Sequence, residues 1–226
     1  MINKYSKYTK VRVGNQFKTV RGILIFAFAS LIFFSTIESA IAHHPMGGKI
    51  PSNFGEGLLS GMGHPIIGID HLAFVLAVGL VGTTIPNGLS ILASFLATGM
   101  LGTGIHLLSI DLPLTELAIA FSVVVFGVIL AFKQRLNNLL LIVFAGIAGI
   151  FHGYAYGEAI LGAEMTPLLA YLLGFTAIQF FIALLAMKLT ELVSNNWENQ
   201  FLNLIRFLGL AISGIGVVFF TSAIFG

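Results

Sequence analysis

Six apolar stretches succeed one another between residues 65 and 225, and this succession limits the fold more than any single motif does. They lie near 65–82, 88–108, 113–132, 138–157, 166–187 and 204–225. An α-helix rises 1.5 Å per residue, so about 20 apolar residues cross a hydrocarbon core of ~30 Å. Only 9% of the chain is charged and 57% is hydrophobic, whereas a soluble domain carries roughly 25% charged residues. A core built from 226 residues cannot hide that much apolar surface, so the bilayer is the solvent. The expected fold is an all-α, multi-pass membrane protein with six transmembrane helices. The breaks fall at Thr83–Asn87, Ser109–Pro113, Lys133–Asn137, Glu158–Pro167 and Lys188–Asn203, the fourth being the most apolar.

The N-terminus reads as a secretory leader. Residues 1–21 are basic and polar, Gly22 to Ile37 is an apolar run shorter than a span, and Ala40-Ile41-Ala42 offers small residues at an A-x-A site. The expected organisation is a signal peptide over 1–42, an external segment over 43–64 with a short surface helix over 54–63, and a six-helix transmembrane domain over 65–226. Cleavage after Ala42 leaves the mature N-terminus outside, and six spans then return the C-terminus outside. Lys133, Arg135, Lys188 and Arg206 fall on the cytoplasmic side in this scheme, with Lys49 alone outside. That is the positive-inside bias, and it points to the cytoplasmic (inner) membrane.

The leader also explains the basic charge balance. Residues 1–42 hold six Lys/Arg against Glu38; the rest holds five Lys/Arg against eight Asp/Glu, a balance of −3. Nucleic acid is therefore no expected partner. The chain has no cysteine, so a metal would bind through nitrogen and oxygen. The small-residue pairs Gly57/Gly61 and Gly149/Gly153, and Gly209/Ser213 with Gly216, predict close helix packing in lipid.

Chemistry concentrates in six histidines: His43, His44, His64, His71, His106 and His152. The topology puts all of them in the outer part of the protein. Helical side chains tilt toward their own N-terminus, which brings His71 and Asp70 on an inward span toward the depth of His106 and His152 on outward spans. A carboxylate inside a span is costly and usually serves an ion path, and an Asp beside a His can bind metal or orient the imidazole that does. Pro65 suits the first turn of a helix. In one regular helix His64 and His71 would share a face about 10 Å apart, which favours an outer ligand followed by a deeper one. His152 and Tyr156 share a face four residues apart, with Glu158 just beyond; Tyr154 and Tyr156 also fit an interfacial aromatic belt. Acids at Glu56, Asp111, Glu116, Glu158 and Glu164 would draw cations to the outer mouth. His43 and His44, with a free amine, would add a capture site.

The segment His64-Pro65…Gly68…Asp70-His71 followed by Ala77-Val78-Gly79-Leu80, together with Phe151-His152-Gly153-Tyr154-Ala155-Tyr156-Gly157-Glu158, resembles the HupE/UreJ family of membrane proteins. The resemblance covers the leader and the six-span body. It implies a nickel or cobalt permease linked to hydrogenase or urease maturation, with His64, Asp70, His71 and His152 carrying the family's metal-binding roles. This chain departs from the family where Tyr154 and Tyr156 replace histidines of many relatives, which leaves the metal open between nickel, cobalt and another divalent ion.

The expected function is import of a divalent transition metal through His64, Asp70, His71, His106 and His152. His43, His44, Tyr156 and Glu158 would serve capture or the path. No Walker A sequence is present, no enzymatic step is expected, and no resident cofactor is expected beside the transported Ni2+ or Co2+. The partners are the ion and the bilayer, with association between copies of the chain left open. Three alternatives stand: a non-transporting accessory or metal-sensing protein, a haem-binding electron carrier using paired histidines, and an intramembrane metal hydrolase.

Overall fold

A computed structural model describes residues 49–132, 136–196 and 198–226. The expected leader, His43, His44, Lys133 and Arg135 lie outside the described residues. Among the described residues the chain is all helical, in seven helices: α1 (Phe54–Ile67), α2 (Ile69–Gly82), α3 (Leu89–Leu107), α4 (Thr115–Phe132), α5 (Asn138–Glu158), α6 (Met165–Asn196) and α7 (Glu198–Phe225). Helices α3 to α7 are each long and apolar enough to cross a membrane, and α1 with α2 form one further candidate span bent by 81°. The protein is a multi-pass membrane protein with five such helices, or six when the bent pair counts as one.

Helix ends follow local chemistry. Asn53 caps α1 by accepting from the Glu56 N–H at 3.0 Å, and the Glu56 carboxylate reaches back to the Ser52 N–H at 2.8 Å, a reciprocal arrangement close to a capping box. Thr83 and Thr84 hydroxyls donate to the carbonyls of Leu80 and Val81 at 2.7 Å, closing α2. Asn137 caps α5 through the Leu139 N–H at 2.8 Å.

The first expected span needs correction. Pro65 does not open a helix but sits in the last turn of α1, and the expected surface helix runs on through His64. A proline inside a helix forfeits one backbone bond and weakens the turn around it. The helix stops at Ile67, Gly68 donates its N–H to His64 O at 3.0 Å, and Leu72 N–H restarts the ladder on Gly68 O at 2.8 Å. Gly68 thus ends one helix and begins the next. Nor is α1 merely a surface helix: Gly57, Ser60, Gly61, His64 and Pro65 are buried. The last expected span, 204–225, matches the apolar stretch Asn203–Phe225, but its helix begins earlier, at Glu198, and the helix of the fifth span runs on to Asn196.

Three small-residue seams assemble the bundle. Gly57 and Gly61 place α1 against the backbone of Pro167 and Tyr171 on α6, in parallel. Gly99 and Gly102 face Gly149, Ile150 and Gly153, so α3 and α5 also run parallel. Gly127 of α4 meets Gly209 and Ser213 of α7, with Gly216 on Val124, an antiparallel pair. These are the directions an up-and-down six-span order gives to spans one and five, two and four, and three and six. The central helix α2 is buried on nearly every side, as a helix that is apolar all round beyond its first turn must be, and it touches α1, α3, α4, α6 and α7.

Thr103 stitches the α3–α5 seam, donating to Gly153 O at 2.7 Å. Interhelical hydrogen bonds in lipid average about 0.6 kcal/mol. Thr103→Val keeps the shape and removes the hydroxyl, so it is expected to lower stability by about that much, read as a small fall in unfolding midpoint in detergent.

Candidate functional site

The break at Gly68 delivers polar side chains into an apolar bundle. His64 comes from the last turn of α1, Asp70 and His71 from the first turn of α2, and His152 from α5. Their exposures are 1%, 1%, 0% and 0%. Asp70 lies where the positive end of the α2 dipole favours a carboxylate, and its Oδ1 accepts from the His71 N–H at 2.9 Å. Because the helix breaks between them, the His64 and His71 rings lie 5.7 Å apart, edge to face. The separation of about 10 Å expected of a continuous helix does not occur, and with it goes the basis for two successive stations.

His71 Nδ1 and His152 Nδ1 are 2.8 Å apart, a hydrogen bond between imidazoles. Two nitrogens on one tetrahedral ion, each at ~2.0 Å, would stand about 3.3 Å apart. The Nδ1 pair is therefore closed on itself. Among the described residues no three histidine or carboxylate groups are disposed to hold one ion as the side chains lie.

Sequence reasoning missed three partners. Ser122 of α4 meets His152 Nε2 at 3.0 Å and donates to Ile119 O at 2.7 Å. Tyr171 of α6 meets His64 Nδ1 at 2.9 Å and donates to Tyr156 O at 2.8 Å. Gln179 of α6 accepts from the Tyr156 hydroxyl at 3.2 Å and donates to Phe175 O at 2.9 Å. Serine, tyrosine and glutamine are common enough in membrane helices that only the fold singles these out. Tyr171 and Gln179 do lie eight residues apart, close to one face of α6.

Tyr156 belongs to this cluster and not to an interfacial belt. It is buried, with its ring 4.6 Å from His71 and 5.1 Å from His64. His106 does not join. It packs against Tyr154 at 4.5 Å and against Gly157, at the far end of the α3–α5 seam. Glu158 is exposed at the end of α5. On the other side of the cluster, Phe74 stacks on His152 at 4.5 Å and meets Phe95 and Phe126, all buried. This makes an aromatic floor.

An apolar groove of about 580 Å3 runs between α2, α6 and α7, lined by Leu72, Leu76, Leu189 and Leu208 among others. Its walls offer acyl chains a surface but offer a cation no ligand.

The family model described as HupE / UreJ protein matches residues 31–219. The chain belongs to the HupE/UreJ family. It is also 30% identical over 139 residues to Protein HupE of Rhizobium leguminosarum bv. viciae, covering 61% of this chain and 72% of that relative. No solved structure matches. Within this HupE/UreJ protein, the two segments that carried the resemblance, around His64–His71 and around His152, form opposite walls of one buried polar cluster.

Proposed function

We propose that this HupE/UreJ protein is a permease that imports a divalent transition metal, nickel or cobalt, across the cytoplasmic membrane in support of hydrogenase or urease maturation. One observation carries the reading: a carboxylate and three imidazoles from three helices are buried together at a broken helix. Intramembrane ionisable groups are expensive and serve ion paths, and transporters bind ions where helices break. Imidazole suits nickel and its neighbours. The mature termini lie outside in this reading, which puts the acids Glu158 and Glu164 at the outer mouth. The family name and the relative named HupE support the link to metalloenzyme maturation.

The test is uptake of radiolabelled nickel or cobalt into proteoliposomes. His71→Ala is expected to abolish uptake, because it removes the ring that touches both His152 and Tyr156. His106→Ala is expected to keep measurable uptake, because that ring stands apart. Equal loss in both variants would refute the assignment of the site, and no uptake by the wild type would refute transport.

One observation favours a second reading, a non-transporting metal-sensing accessory protein: every member of the cluster is buried in this conformation. The same assay separates the two, since a sensor binds metal and moves none.

A further inference from the structure

The hydrogen bonds around the cluster fix which imidazole nitrogens carry protons. A carbonyl oxygen has no proton to give. Tyr171 contacts both Tyr156 O at 2.8 Å and His64 Nδ1 at 2.9 Å. Its single proton must go to the carbonyl, so the hydroxyl oxygen accepts from His64 Nδ1–H. Ser122 stands in the same position, with Ile119 O at 2.7 Å and His152 Nε2 at 3.0 Å. Its proton goes to the carbonyl three residues back, as serine does in helices, and it accepts from His152 Nε2–H. His152 Nδ1 is then the acceptor in the 2.8 Å contact with His71, and His71 Nδ1 is the donor. In the neutral rings, both His64 and His71 carry the proton on Nδ1 and the lone pair on Nε2.

We propose that Ser122 and Tyr171 are positioning residues that set these tautomers, so that His64 and His71 each present Nε2 as the nitrogen that takes the divalent cation. The inference deepens the permease reading and rests on it for the identity of the cation. The two residues act from helices α4 and α6, which supply no ligand of their own. Partners that orient a ligating histidine from outside typically matter 10–100-fold in metal affinity.

The experiment uses the full chain in lipid nanodiscs. Nitrogen-15 NMR of labelled histidine reads the tautomers without metal, and titration with Ni2+ alone reads affinity. The wild type is expected to show the proton on Nδ1 of His64 and His71 and on Nε2 of His152. Ser122→Ala should release His152 and His71 from this tautomer and weaken Ni2+ about 10–100-fold. Ser122→Thr, which keeps the hydroxyl, should restore both readouts. Tyr171→Phe should release His64 alone. A wild-type spectrum with the proton on Nε2 of His71 would overturn the proposal. So would Ser122→Ala and Tyr171→Phe proteins with unchanged tautomers and unchanged Ni2+ affinity. Tautomers as assigned with Ni2+ bound, but no uptake, would defeat the permease reading and leave the positioning roles intact.

Discussion

Replacing Gly68 by alanine is expected to lower metal uptake more than tenfold while the protein still inserts and accumulates. The backbone at Gly68 has φ −70° and ψ 100°, a conformation alanine adopts without strain. The obstacle is local. A Cβ there would meet His71 Cδ2 at 2.6 Å, so the ring must give way. His71 is held by a 2.8 Å bond to His152 and lies against Tyr156, and it cannot retreat without breaking one of these contacts. Metal ligands tolerate errors of only about 0.2 Å in bond length, and a misplacement of about 1 Å can cost some 100-fold where geometry governs the chemistry. Nickel uptake normalised to protein in the membrane is the measurement. A wild-type rate would show that the position of the His71 ring is irrelevant to transport.

Gly153→Val acts on the fold itself. A Cβ at Gly153 falls on the carbonyl oxygen of Gly99, and one at the neighbouring Gly149 would meet Phe95 O at 2.5 Å. The obstruction is backbone against backbone, so no rotamer change relieves it. The α3–α5 seam must open, and the Thr103–Gly153 bond of 2.7 Å goes with it. Overpacking of this kind costs about 1–3 kcal/mol, and more where backbones shift. Packing is also the main attraction between helices in lipid. Little monodisperse protein should survive detergent extraction, with a much larger fall in unfolding midpoint than Thr103→Val gives. Wild-type yield and midpoint would show that the seam is not needed.

Most span positions were legible because apolar length is a one-dimensional property. The expected run 138–157 is the helix Asn138–Glu158, and 113–132 is Thr115–Phe132. Glycine pairs were legible as packing surfaces, though not as to which helix each would meet. What the chain did not disclose was the break at Gly68. Proline at 65 reads most simply as the start of a helix, where its missing N–H costs nothing, whereas it sits in the last turn of α1, which packs on α6. That one difference carried the error in the His64–His71 separation. His106 stands apart because the register of the parallel α3–α5 pair sets it against Gly157, beyond the level of His152, with its ring on Tyr154; span order alone did not give that register. Ser122, Tyr171 and Gln179 were out of reach because their significance lies in partners 30, 107 and 23 residues away.

The hydrogen-bonded branches around the cluster also have an electrical consequence. Each one ends on a backbone carbonyl: Ser122 on Ile119, Tyr171 on Tyr156, and Gln179 on Phe175. A peptide carbonyl can accept a hydrogen bond but cannot hand a proton onward, so none of the three branches is a conducting wire. Below them lies a layer of phenylalanine that carries no exchangeable proton. A cell that stores energy as a proton gradient can therefore keep several imidazoles inside a membrane protein without short-circuiting it along these paths.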